Sequence, residues 1–187
     1  TLNEVNIAVI GAGTMGEAAI GGLWRAGLVP PERILAATPR PERRRELQQR
    51  WGIGVTDDNR AAAEWGQVVF LGIKPQMVAD VLPRLKGAFQ AEDLVVSILA
   101  GVTIEHLVAA TGHHAIARAM PNTPAQIAEG ITVWCTNPGL DDTRRAWARL
   151  VLSAIGEQIE VADEKFMDMA TALSGTGPAS VFMVMGA

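Results

Sequence analysis

Six residues near the start of the chain, Gly11-Ala12-Gly13-Thr14-Met15-Gly16, have the G-x-G-x-x-G spacing with which a backbone approaches a pyrophosphate. In a chain with 19 glycines such a pattern arises easily by chance, so its setting decides its meaning. It follows the apolar run Asn6-Ile-Ala-Val-Ile10, as expected of a parallel strand covered on both faces. It leads into a stretch of small and apolar residues from Thr14 to Ala26, which reads as a helix stopping at Gly27. In that setting Gly11 makes the tight turn, Gly13 admits the phosphates and Gly16 allows close packing of the helix, whose N-terminus faces the anion. A strand-to-helix turn without a ligand is the bland alternative.

A dinucleotide site that selects NAD places an acidic residue about twenty positions further on, against the ribose hydroxyls. Here the next strand ends Ala36-Ala37-Thr38-Pro39-Arg40, with no acid. A hydroxyl at Thr38 and a guanidinium at Arg40 can instead hold a 2′-phosphate, with Arg43 and Arg44 adding positive potential. NADPH is therefore expected, with NADH the weaker ligand. A solvated helix start over Arg40 to Arg45 is the alternative.

Ligands of open α/β sheets lie beyond the carboxyl ends of the strands, so the residues that follow each strand are the next candidates. They are Gly72-Ile73-Lys74-Pro75-Gln76, then Ala100-Gly101, then Arg118-Ala-Met-Pro-Asn-Thr-Pro124. Pro121 and Pro124 stiffen the last of these and hold the amide of Asn122 and the hydroxyl of Thr123 in place. A rigid turn capped by Asn122 is the alternative. His106 falls in a helical pattern and His113 and His114 in a turn after Gly112, so surface and loop roles are expected of them.

The elements that must position these groups alternate along the chain. Strands are expected at Ile34 to Ala37, Ile53 to Val55, Val68 to Ile73, Leu94 to Leu99, Ala115 to Met120, Ile131 to Cys135 and Gln158 to Val161. Helices are expected over Pro41 to Trp51, around Met77 to Leu85 with a kink or end at Pro83, and from Thr143. Right-handed crossovers then give an α/β fold with a Rossmann-like, doubly wound, mostly parallel sheet. The pattern turns wholly helical after Val161, which sets a domain boundary near residue 162: a dinucleotide-binding domain over 1–162 and the beginning of a helical domain over 163–187.

Bulk composition narrows the function classes. The chain has 187 residues, 49% of them hydrophobic and 19% charged, with a net charge of −4. Its basic residues are scattered apart from Arg43 to Arg45, so a small-molecule partner is expected rather than nucleic acid. Cys135 is the single cysteine, which leaves no internal disulfide and no zinc-ligand spacing with the histidines, and no metal is expected. No run of 18 apolar residues occurs, and neither export nor a membrane span is expected. A reducing cytoplasmic setting fits.

Four segments in order, the glycine turn, Ile73-Lys-Pro-Gln76, Met120-Pro-Asn-Thr-Pro124 and Ala172-Leu-Ser-Gly-Thr-Gly-Pro-Ala179, resemble pyrroline-5-carboxylate reductase, and the resemblance runs from Val5 to Ala187. It implies NADPH-dependent reduction of the ring C=N of 1-pyrroline-5-carboxylate, the last step in making proline. It implies cofactor contacts at Ile10, Gly11, Ala12, Gly13, Thr14 and Met15, with Gly16 closing the turn, and at Thr38, Arg40, Asn59, Ile73, Lys74, Pro75 and Ala100. It implies a substrate role for Glu164, ten residues before Ser174, against the alternative of a surface helix glutamate. Gly175-Thr176-Gly177 before Pro178 reads as a helix start whose free N–H groups face a carboxylate, with Thr176 supplying a hydroxyl; a structural cap is the alternative. Asn122 and Thr123 complete the expected substrate side.

The chain departs from the family in giving Pro178-Ala179-Ser180 for Pro-Ala-Tyr and Gly-Thr-Gly for the commoner Gly-Ser-Gly. The family's second domain is an all-helical, intertwined dimerisation domain, so a homodimer or higher homo-oligomer is implied. Val181-Phe-Met-Val-Met185 has no polar face, which suggests a chain cut short and a substrate pocket only partly encoded. A protonated imine is already electrophilic, so no single side chain is expected to be an indispensable general acid. An isolated NADPH-binding module without turnover and a reductase of another cyclic imine are the competing readings.

Overall fold

The structure is a computed structural model, and it describes residues 1–173. The expectations for Thr176, for Gly175 to Pro178 and for Val181 to Met185 lie outside the described residues.

Eight strands form one sheet: β1 (Ile7–Ile10), β2 (Ile34–Ala37), β3 (Gly54–Thr56), β4 (Val68–Leu71), β5 (Leu94–Ser97), β6 (Ile116–Pro121), β7 (Gly130–Thr136) and β8 (Gly156–Glu160). Their order is β3-β2-β1-β4-β5-β6-β7-β8. The chain goes outward from β1 through β2 to β3, then returns to place β4 on the other side of β1. That reversal is the switch point at which an open α/β sheet leaves a crevice. The central strands are buried on both faces, which is why they read as continuous apolar runs rather than alternating ones.

Among the described residues seven α-helices accompany the sheet: α1 (Thr14–Arg25), α2 (Pro41–Trp51), α3 (Asn59–Trp65), α4 (Val78–Arg84), α5 (Ile104–Thr111), α6 (Asp142–Ser153) and α7 (Lys165–Leu173). Two apolar clusters, one on each side, hold them there. One joins Leu23, Ile20, Leu47, Phe70, Trp134, Val151 and Leu152. The other joins Ile10, Leu71, Leu82, Leu107, Ile116, Val133 and Met167.

The link between β6 and β7 holds only a 3-10 turn (Thr123–Ile127), too short for a crossover, so this pair is antiparallel within an otherwise parallel sheet. The helix expected around Met77 to Leu85 is α4, and it ends next to Pro83 as expected. Pro75–Met77 forms a 3-10 turn, and α4 ends at Arg84, one residue after Pro83.

Candidate functional site: a phosphate cradle at the switch point

The glycine turn closes against the exit of β4. Gly11 has φ +87°, and a β-carbon on it would stand 2.5 Å from the Ile73 nitrogen and 2.6 Å from the Gly72 carbonyl carbon. No L side chain fits there. A β-carbon on Gly16 would meet the Gly11 oxygen at 2.6 Å, so this glycine is what lets α1 start directly on the turn. Gly13 differs: nothing lies within 4 Å of the β-carbon position. Gly11 and Gly16 are thus required by the turn itself, while Gly13 is open and lines the cleft described below.

Helix ends tell the same story. Asp58 caps α3 through the Ala61 N–H, Thr103 caps α5 through the His106 N–H, and Asp141 caps α6 through the Arg144 N–H. The N-caps of α1 and α2, Gly13 and Arg40, make no side-chain cap. Their first N–H groups are unsatisfied within the helix and remain available to an anion.

A cleft of about 620 Å³ lies along these two N-termini, lined by Gly13, Thr14, Glu17, Ala18, Arg25, Arg40, Arg43, Glu46, Arg50, Trp51, Lys74 and Gln126. Arg40 and Lys74 are exposed and make no ion pair among the described residues. A polyanion with a phosphate at each end matches an uncapped helix start flanked by two unpaired cations.

Arg43 and Arg44 do something other than add potential. Arg43 Nε donates to the Ala12 carbonyl at 3.1 Å, while its Nη2 donates to Glu17 Oε2 at 2.5 Å and its Nη1 to Glu46 at 3.3 Å. Its charge is neutralised, and it ties α2 to the middle of the glycine turn. Arg44 Nη1 donates to the carbonyls of Thr38 and Pro39, bracing the loop. Burial pushes the Glu17 carboxyl pKa up, but hydrogen bonds from Arg43 and Trp51, with the Arg43 and Arg50 charges, outweigh it and hold the carboxyl below its ordinary value. Thr38 is only 5% exposed, which leaves Arg40 as the more accessible of the two residues expected at a 2′-phosphate.

The remaining expected contacts lie at strand exits or helix starts. Ile10 ends β1; Ala12 and Met15 belong to the glycine turn and the first turn of α1; Ile73, Lys74 and Pro75 follow β4; Ala100 follows Leu99 beyond β5. Asn59 opens α3 after β3, further along the same edge. Its helix was not legible in the sequence.

On the substrate side Asn122 Oδ1 accepts from the Ile131 N–H at 3.0 Å, so this amide closes the β6–β7 turn, the structural reading given for it above. Thr123 opens the 3-10 turn that follows. Glu164 is not a surface helix glutamate. It immediately precedes α7, and its Oε1 accepts from Arg118 Nη1 at 2.7 Å and from the Ile104 N–H at 2.8 Å. Arg118, 2% exposed on β6, stands at the head of the candidate segment that ends at Pro124, but the sequence assigned it no role. The signal was present: one guanidinium in the apolar run Ala115-Ile-Ala-Arg-Ala-Met120. Among the described residues no group of three or more His, Cys, Asp or Glu side chains is placed to hold a metal ion, and no helix is long and apolar enough to cross a membrane.

The histidines also divide. His106 and His114 are exposed, but His113 is buried, with Nε2 donating to the Asp93 carbonyl at 2.9 Å and its ring against Phe89.

A family model described as NADP oxidoreductase, coenzyme F420-dependent, matches residues 6–101. The chain is 38% identical over 184 residues to pyrroline-5-carboxylate reductase from Synechocystis, and 36% identical over 185 residues to that from Escherichia coli, covering 98% of this chain and 68% of each relative. Its fold superposes on a solved pyrroline-5-carboxylate reductase from Coxiella burnetii with a TM-score of 0.88 at 33% identity, covering 98% of this chain and 68% of that one. It superposes on the Plasmodium falciparum pyrroline carboxylate reductase, solved with NADP bound, with a TM-score of 0.81 at 26% identity, covering 100% and 68%. Likeness to prephenate dehydrogenase from Aquifex aeolicus, at 16% identity, is one of fold alone. From the glycine turn to α7, the chain belongs to the pyrroline-5-carboxylate reductase family.

Proposed function

We propose that the protein reduces the ring C=N of 1-pyrroline-5-carboxylate to give L-proline, using NADPH. The observation that carries this reading is the open phosphate cradle at Gly13, flanked by the unpaired Arg40 and Lys74, in a chain similar to pyrroline-5-carboxylate reductases over nearly its whole length.

When bound, the reduced nicotinamide supplies a hydride to the imine carbon. The ring nitrogen is already protonated in the iminium form, so the electron pair of the C=N bond ends on that nitrogen and no further proton is needed. The residues bind and align. The N–H groups at the start of α1 and the turn Ile10 to Gly16 receive the pyrophosphate, and Arg40, with Thr38 behind it, receives the 2′-phosphate. Ile73, Lys74, Pro75 and Ala100 wall the cofactor at the β4 and β5 exits, and Asn59 closes the adenosine end. Asn122, Thr123, Glu164 and Thr176 form the substrate side, with Glu164 aligning the charged ring. Alignment is a large part of the rate in such a reaction, because the cofactor carries the chemistry.

The same reading places a domain boundary near residue 162, with α7 opening a helical domain through which the protein assembles as a homodimer or higher homo-oligomer in the cytoplasm.

The test is an assay of the full natural protein with NADPH and pyrroline-5-carboxylate, with L-proline identified as product. Stoichiometric NADPH consumption and proline formation are expected. NADPH binding without turnover would favour a binding module, and turnover confined to another cyclic imine would favour a different reductase.

A further inference from the structure

Arg118 sits where a charge is expensive. It pairs in register with Ser97 of β5 on one side and with Cys135 of β7 on the other, both fully buried, in the middle of the sheet. Its side chain is 3% exposed. Burying a guanidinium is costly unless its donors are matched, and an apolar side chain of similar volume is often at least as stable in such a place. Nor is the guanidinium fully matched: among the described residues its Nε has no hydrogen-bond partner. Its one close partner is Glu164, with Asp168 further off at 3.9 Å.

Glu164 is therefore held from two directions. Arg118 stands on the strand that runs on into Met120-Pro-Asn-Thr-Pro124, and the Ile104 N–H opens α5, just beyond the Ala100-Gly101 turn. Both donate to the same oxygen, Oε1, and Oε2 has no partner among the described residues. The Glu164 carbonyl in turn accepts from the Met167 N–H in the first turn of α7. One residue thus joins the β6 strand and the start of α5 through its carboxylate, and the start of α7 through its carbonyl.

We propose that Arg118 is a positioning residue: it fixes the Glu164 carboxylate by one oxygen so that the other is presented to the charged ring of the substrate. This rests on the function proposed above. Arg118 does not touch substrate. It sets the direction of the group that does.

The test compares Arg118→Met, Arg118→Lys, Glu164→Gln and the double variant Arg118→Met/Glu164→Gln in the full natural protein. Arg118→Met is expected to raise KM for pyrroline-5-carboxylate by about tenfold or more with a smaller change in kcat, and Arg118→Lys to recover part of it, since an ammonium keeps one bond of the pair. NADPH affinity should stay within about twofold of the parent, and the double variant should be no worse than the poorer single one, because groups acting as a unit are not additive. An unchanged KM in Arg118→Met, or effects that multiply in the double variant, would overturn the proposal. Hydrogen exchange at the Ile104 amide separates this from the function itself. If the parent protein does not turn over pyrroline-5-carboxylate, the functional reading fails, while faster Ile104 exchange in Arg118→Met still supports the positioning and unchanged exchange rejects it.

Discussion

The backbones of Gly11 and Ile73 meet so closely that a β-carbon on the glycine would stand 2.5 Å from the Ile73 nitrogen, whereas two residues later the same addition at Gly13 would meet nothing within 4 Å. The fold needs a glycine at 11, and at 13 it leaves open the space in which the proposed function puts the cofactor phosphates. Gly11→Ala should therefore cost about 2–4 kcal/mol of stability, from backbone overlap and from φ +87°. Gly13→Ala should leave the thermal midpoint within a few degrees and weaken NADPH binding by about tenfold or more, because its methyl group occupies the phosphate space. Thermal melts and NADPH titrations of the two variants check this, and equal loss of stability in both would contradict it.

Arg43 and Arg40 should separate by cofactor. Arg43 is spent on Ala12 and Glu17 within the protein, so Arg43→Ala is expected to weaken NADPH and NADH alike by loosening the turn. Arg40 has no internal partner among the described residues, so Arg40→Ala should weaken NADPH by about ten- to a hundredfold, the worth of a charge-assisted phosphate contact, and leave NADH nearly unchanged. Dissociation constants for both cofactors with both variants decide the matter.

Cys135 should be inert in the folded protein. Burial, followed by the negative charge of Glu164, pushes its thiol up to about 11. At pH 8 about one thiol in a thousand is then ionised, so a disulfide reagent should titrate it only after denaturation. The raised value also fixes the sign of its effect on stability: the contribution is complete below the ordinary thiol value, and it is lost as the pH rises from there through about 11. Prompt labelling of native protein at pH 8 would contradict this burial.

His113 acts in the opposite direction on the pH axis. Burial lowers its pKa, outweighing its bond to the Asp93 carbonyl, so the neutral ring belongs to the folded state. Its contribution is present above the ordinary histidine value of about 6.5 and is lost as the pH falls below it, since the unfolded chain takes up the proton first. Urea midpoints at pH 7.5 and 5.5 should differ more in the parent protein than in His113→Gln.

The glycine turn was legible in the sequence because its requirements are local. A buried-type strand, a spaced glycine set and a helix start lie within a span of about twenty residues, and each leaves a compositional trace. The strands of the sheet were legible for the same reason, as apolar runs between turns. What escaped depends on pairing across the chain. The antiparallel β6–β7 step follows from the shortness of a link, and the neutralisation of Arg43 by Glu17 joins residues 26 apart. The hold of Arg118 on Glu164 spans 46. The short helix α3 escaped because Asn59-Arg-Ala-Ala-Ala-Glu-Trp65 has too few large apolar residues to show a period.

On the proposed function, a hydride passes from NADPH to the imine carbon of pyrroline-5-carboxylate on this protein. Turnover with NADPH deuterated at both C4 positions, followed by mass spectrometry of the product, tests it most directly. The expected product is L-proline carrying one deuterium at C5. Proline without the label, or labelled cofactor oxidised with no proline formed, would contradict it.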